Sequence, residues 1–166
     1  MTALREWHIV TSMLSRYALL FSLAPAMLFA QAAPPQVPAT VLADRDVEYS
    51  AVGGRQTMDI VRPREASATP RPAVLLIHGG GFRNGTKESY IALAAKLAEH
   101  GYVAATANYR LAPRNQFPAA VQDCKAAVRF LRANAAKYNL DATHIGALGS
   151  SAGGHLVLML GLTAGV

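Results

Sequence analysis

The stretch Leu148–Gly154 reads L-G-S-S-A-G-G and centres Ser151 in a G-x-S-x-G pattern running from Gly149 to Gly153. Few backbones tolerate that spacing. The glycines permit a very tight strand-to-helix turn in which the serine backbone is strained and any larger neighbour would collide with the adjoining strand or helix. The flanks supply both elements: Thr143–Leu148 is a short, mostly apolar run suited to a buried strand, and Ala152–Leu162 is long enough for a helix. Ser151 is thereby a candidate nucleophile at a helix N-terminus, where the Ala152 N–H and the helix dipole can face a developing negative charge.

A second glycine-rich turn stands upstream, His78-Gly79-Gly80-Gly81-Phe82, directly after the apolar run Ala73–Ile77. Val74–Ile77 reads as a strand covered on both faces. Arg45–Ser50 and Thr57–Val61, separated by Gly53-Gly54, read as a hairpin. Thr86 is expected to cap a helix over about Lys87–His100, with Ile91, Ala94, Ala95 and Ala98 on one face and Gly101 ending it. Tyr102–Ala107 is the next strand. A further helix is expected from Pro118 to about Tyr138, with Lys125, Arg129 and Arg132 outward. Two strands followed by three strand-helix units predict an α/β fold, a doubly wound, mostly parallel sheet with helices on both faces. In such sheets ligands bind beyond the carboxyl ends of strands, where His78–Gly81 and Ser151 both fall.

The ordered motifs His78–Phe82, Tyr109-Arg110-Leu111-Ala112-Pro113, Phe117-Pro118-Ala119-Ala120, Asp123 and Gly149–Leu156 resemble the amino-terminal half of the α/β-hydrolase superfamily, in its hormone-sensitive-lipase-like and related carboxylesterase branches. The resemblance implies that Ser151 is the nucleophile, that the N–H groups of Gly80, Gly81 and Ala152 form the oxyanion hole, and that His78 positions the glycine loop. It implies no metal and no cofactor. Ser150 stands where the lipase-like branch usually has Asp, which fits the acetyl- or feruloyl-esterase-like branches better. Arg114 replaces the usual acidic residue after Ala112-Pro113. The substrates implied are small-molecule or polysaccharide-linked esters, including acetyl or feruloyl groups. A prolyl-oligopeptidase-like peptidase uses the same elbow, and a non-catalytic binding protein that kept the fold's first half is the other reading.

A serine needs a histidine as general base and a carboxylate to hold it, in the chain order Ser, Asp or Glu, His. The residues after Ser151 contain no Asp or Glu and only His155, which falls inside the expected helix and reads as structural. Asp123 reads as a capping or salt-bridge residue. The expectation is that the domain, 45–166, is truncated after the elbow, that the missing acid and histidine lie beyond Val166, and that this stretch alone is nearly inactive.

Residues 1–32 read as a signal peptide. Arg5 and Arg16 lie in the n-region, Tyr17–Ala30 is apolar, and Ala30 and Ala32 form an A-x-A site with cleavage after Ala32. The apolar run is shorter than a membrane span needs and contains Pro25. The expected location is secreted or periplasmic, with no membrane attachment after cleavage. Residues 33–44, with Pro34, Pro35 and Pro38, read as a linker. The net charge of +6 is spread over loops and helix faces, and no nucleic-acid motif accompanies it. Arg62–Pro72, with three prolines and three arginines, reads as a polar loop without chemistry. Cys124, the only cysteine, shares a helical spacing with Val121, Val128 and Leu131 and reads as a small core residue.

Overall fold

The computed structural model describes residues 37–163. The expected signal peptide, residues 33–36 of the expected linker and residues 164–166 lie outside the described residues. The elements are β1 (Val41–Ser50), β2 (Gln56–Pro63), β3 (Arg71–Ile77), α1 (Ile91–Glu99), β4 (Val103–Ala107), α2 (Ala119–Ala133), α3 (Ala135–Tyr138), β5 (Leu140–Gly149) and α4 (Ala152–Leu162). The five strands form one sheet in the order β1-β2-β4-β3-β5. β2 pairs antiparallel with both β1 and β4, while β3 pairs parallel with β4 and β5. Four strands thus run one way and β2 alone runs against them.

Alternation within the strands divides the core. Val61, Leu76 and Ala104 turn to one face and pack with Ile91, Ala94, Ala95 and Ala98 of α1. Ile60, Leu75, Ile77 and Ala105 turn to the other and meet Val121, Cys124, Ala127 and Leu131 of α2 and Leu156 of α4. Period two in the strands and 3.6 in the helices produce helices on both faces of the sheet. Cys124 is buried as expected, and burial pushes its thiol up to about 12, so it behaves as an apolar filler.

Several expectations need correction. Residues 41–44 belong to β1, not to the linker, because Val41 to Asp44 pair with Pro63 to Ile60. Thr86 makes no side-chain cap; Lys87–Tyr90 form a 3₁₀ turn and the α-helix starts at Ile91. The long helix breaks at Asn134, whose side-chain amide donates to the Phe130 carbonyl at 2.9 Å and competes with the helical ladder. Lys125 does not point freely outward: its Nζ donates to the Thr163 carbonyl at 2.6 Å and ties α2 to the end of α4. β5 runs Leu140–Gly149, longer than the apolar run alone, and among the described residues it is an outer strand. A groove of about 570 Å³ follows it between α2 and α4. No described helix is long and apolar enough to cross a membrane.

Asp123 takes the salt-bridge role. Its carboxylate accepts from the Arg110 N–H at 2.8 Å and from the Arg110 guanidinium at 2.8–3.0 Å, with side chains only 2% and 11% exposed. The pair clamps α2 to the segment leaving β4. Asp123→Ala strands a buried guanidinium, which costs about 3–5 kcal/mol. Urea denaturation of the variant is expected to read that loss, and a change below about 1 kcal/mol would assign the clamp no weight.

Candidate active site

The strand register fixes where the two glycine motifs meet. Ile77, the last residue of β3, is opposite Gly149 of β5 on one side and Ala107 of β4 on the other. The segments starting at His78, Asn108 and Ser150 therefore leave three adjacent strands at one level. Ser151 is exposed and sits in a strained conformation, φ 51° and ψ −120°, immediately before α4. Backbone strain of this kind costs on the order of 1–3 kcal/mol and persists only where surrounding structure enforces it. Here the enforcement is close packing: a Cβ on Gly153 would lie 2.0 Å from the Ile77 carbonyl oxygen and 2.7 Å from that of His78.

The glycine turn packs against the serine. A Cβ placed on Gly79 would be 3.5 Å from the Ser151 Cβ. Gly80 has φ +113°, and a side chain there would meet the Asn84 carbonyl oxygen at 2.0 Å. That carbonyl is held close because the Arg83 and Asn84 N–H groups both donate to the Gly80 carbonyl at 3.1 Å. Among the described residues, the N–H groups of Gly80, Gly81 and Ala152 donate no hydrogen bond within the protein. Ala152 is the first residue of α4 and has no intrahelical acceptor. The family resemblance implies an oxyanion hole made of these three groups.

His78 is 2% exposed and anchors one end of the turn. Its Nδ1 lies 2.8 Å from the Gly79 carbonyl, its ring stacks on Tyr109 at 4.3 Å, and the Tyr109 hydroxyl donates to the His78 carbonyl at 3.0 Å. Burial raises the Tyr109 hydroxyl to about 12, which keeps it a proton donor. Lys87 anchors the other end. Its backbone N–H donates to Asn108 Oδ1 at 2.8 Å and its carbonyl accepts from the Thr106 hydroxyl at 2.6 Å. Its Nζ, 4% exposed, meets Asp59 and Glu88 at 2.8 Å and Asp46 at 3.1 Å. Burial opposes the charge of Lys87, but the hydrogen bonds to these carboxylates outweigh it and hold the ammonium protonated well above its ordinary range. Glu88 resists burial in the same way: its bonds to Lys87 and Thr86 draw its carboxyl down to about 2.

Sequence reasoning missed this second anchor. Asp59 interrupts the buried run Met58–Val61 and is itself fully buried, which was the available signal. Nothing in the spacing paired it with Lys87.

No hydrogen bond joins the Ser151 hydroxyl to a histidine among the described residues. His155 is exposed and sets its ring edge-on to Phe82 at 5.8 Å, with no carboxylate partner among the described residues. A cleft of about 390 Å³ opens over Gly79, Gly80 and Ser150, walled by Ser89 and Tyr90. On the other side of the turn an apolar pocket of about 280 Å³ is lined by Phe82, Ala112, Phe117, Pro118 and Leu156.

Burial lowers the His78 imidazole below its ordinary 6.5, against the pull of the Gly79 carbonyl and Glu88. The unfolded chain therefore takes up this proton at a higher pH than the folded one. Stability is fully present above about pH 6.5 and declines as pH falls toward the depressed folded value. Urea denaturation at a series of pH values is expected to show this acid limb, flattened in His78→Gln. An unchanged slope in the variant would remove His78 as its source.

Comparison with known proteins finds relatives among esterases. The family model described as BD-FAE matches residues 58–166. Esterase LipC of Mycobacterium tuberculosis is 35% identical over 111 residues, covering 66% of this chain and 27% of its own length. Ethyl acetate hydrolase of Pseudomonas putida is 36% identical over 99 residues, 59% of this chain and 31% of its own. Among solved structures, the Thermogutta terrifontis esterase Est2 in its propionate-bound form superposes with a TM-score of 0.65 at 30% identity, covering 75% of this chain and 46% of that one. The chain spans under a third of the length of these curated relatives and under half of that structure.

Proposed function

The chain belongs to the BD-FAE family, in the esterase branch of the α/β-hydrolase fold, and from that footing we propose that the protein hydrolyses carboxylic esters through an acyl-enzyme on Ser151. The observation that carries this reading is the register of Ile77 against Gly149, which sends the glycine turn and the serine elbow from neighbouring strand ends at one level. The Ser151 Oγ attacks the acyl carbon while its proton passes to a histidine base oriented by a carboxylate. The carbonyl oxygen becomes an oxyanion that accepts from the free N–H groups of Gly80, Gly81 and Ala152, with the dipole of α4 adding to them. The base returns the proton to the leaving alcohol, and water then releases the acid by the same steps in reverse order.

His78 acts on this chemistry at one remove, by fixing the path of the glycine turn. His155 is not proposed as the base. In this fold the acid and then the histidine follow the serine in chain order, and no described residue supplies either at Ser151. The proposed substrates are short-chain acyl esters, free or linked to polysaccharide. Supporting this are relatives described as an ethyl acetate hydrolase and as esterases holding propionate or butyrate.

A polypeptide of residues 1–166 alone is expected to hydrolyse p-nitrophenyl acetate no faster than its Ser151→Ala variant. In the full-length protein the same substitution is expected to lower kcat by about a millionfold, the usual weight of a nucleophile in such a triad. Full-length turnover that survives Ser151→Ala would sink the mechanism. Peptide cleavage exceeding ester cleavage would favour the peptidase reading instead.

We also propose that residues 1–32 direct export to a secreted or periplasmic location. Their basic start, apolar middle and small-residue end support this. Amino-terminal sequencing of the protein from its producing cells is expected to begin at Ala33, and a start at Met1 would contradict it.

A further inference from the structure

The end of the sheet away from Ser151 holds a second polar construction. Arg62 near the end of β2, Arg64 in the segment joining β2 to β3, and Arg71 at the start of β3 line, with Tyr138, a cavity of about 250 Å³. Arg71 opens β3 and His78 follows its last residue, which puts the cavity roughly 20 Å from the glycine turn at the usual rise per strand residue.

The wall is built rather than loose. The Asn139 amide donates to the Ser67 carbonyl at 2.9 Å, and the Arg71 N–H donates to the Asn139 carbonyl at 2.9 Å. The guanidinium groups are held mainly by carbonyls: Arg64 donates to Ala39 at 2.7 Å, and Arg71 to Gly101 at 3.4 Å and Glu65 at 3.2 Å. Carbonyls accept hydrogen bonds without cancelling charge. Among the described residues, only Arg62 of the three reaches a carboxylate, Asp44, at 3.2 Å. Glu65, the one acid on this wall, is exposed.

Two buried donors here lack acceptors. Among the described residues, the only buried side-chain polar atoms without a hydrogen-bond partner are Arg62 Nε and the Tyr138 hydroxyl. Both residues line this cavity, and Tyr138 is 2% exposed. Buried polar groups in folded proteins nearly always have a partner. Arg Nε can only donate, and the tyrosine hydroxyl can do so as well. The two donors lie just beneath the cavity's surface, so an acceptor meets them once the Arg62 and Tyr138 side chains turn toward it, and what the wall holds in excess is positive charge.

We propose that this cavity binds a phosphate-type oxyanion, free or borne on a small organic group. The planar fork of arginine matches tetrahedral oxyanions, and charge-assisted bonds to them are strong. A single water could accept from either donor but would leave the charge unbalanced.

The test is calorimetric titration of the full-length protein with inorganic phosphate at constant ionic strength, with sodium chloride as the reference and phenyl phosphate as a second probe. One saturable site is expected, accompanied by a rise in Tm beyond that in chloride. Tyr138→Phe keeps the ring, and Arg62→Lys keeps the charge that faces Asp44. Each is expected to weaken Kd by about tenfold or more, the weight of one hydrogen bond to a charged group. Ser151→Ala is expected to bind phosphate as before. Tighter binding of phenyl phosphate identifies an organic carrier, and equal binding identifies the free anion. Identical titrations in phosphate and chloride would overturn the proposal in favour of bound water. An undiminished Kd in whichever of the two cavity variants folds would overturn it by placing the phosphate elsewhere, at the glycine turn first of all.

Discussion

The carboxyl edge of this sheet depends on how closely the first turn of α4 can approach the end of β3. Gly153 lies so near the Ile77 carbonyl that a methyl group in its place would overlap the oxygen, and Gly149 lies as near to Gly153. The contact is with backbone atoms, which cannot swing aside as a side chain would. Strand, serine and helix are therefore locked as one rigid piece, and the unfavourable φ of Ser151 is a consequence of that lock. Once Ile77 and Gly149 are in register, the glycine turn after His78 has one place to go, across the face of the serine.

That turn is hard to hold by apolar packing. Gly80, Gly81, Phe82 and Gly85 all have positive φ, and the segment is short of side chains that could bury. Its order comes from its two ends. One is the stack of His78 on Tyr109. The other is Lys87, gripped through its N–H, its carbonyl and its ammonium. Between them the free N–H groups keep their direction without internal acceptors, which is what the proposed oxyanion hole needs.

What was legible in the sequence is what repeats or what is sterically forced. The face Ile91, Ala94, Ala95 and Ala98 of α1, the core place of Cys124 and the strand-elbow-helix arrangement all follow from periodicity or from glycine spacing. The missed features are single polar residues whose partners lie far along the chain. Asp59 and Lys87 have no period to betray them, and Asn134 breaks a helix through one side-chain hydrogen bond that apolar spacing does not record. The N–H groups of Gly80 and Gly81 were assigned by likeness to a family motif, and their lack of an internal acceptor emerged only with three-dimensional placement. The prolines and arginines of Arg62–Pro72 read as a polar loop, yet Arg62 and Pro63 close β2 and Arg71 and Pro72 open β3, and no spacing pairs them with Tyr138, which lies far along the chain.

The Lys87 anchor also explains an irregularity in β1. Pairing with β2 slips between Asp44 and Val47, and Asp46 takes φ +51°. A β-bulge of this kind re-aims side chains at some cost in regular pairing. Here it turns the Asp46 N–H onto Asp59 at 2.9 Å while its carboxylate meets Lys87 at 3.1 Å, and Arg45 meets the other oxygen of Asp59 at 2.8 Å. A buried ion pair is often no more stabilising than an apolar contact of equal volume. It differs in being directional: Asp59 has both oxygens committed, so Lys87 can dock in one position only. An apolar staple would let the 3₁₀ turn at Lys87–Tyr90 slide, and the glycine turn before it would slide too. The antiparallel ribbon of β1 and β2, which carries none of the candidate catalytic groups, is thus the outer buttress of the glycine turn, and its irregular register is part of how that turn is held.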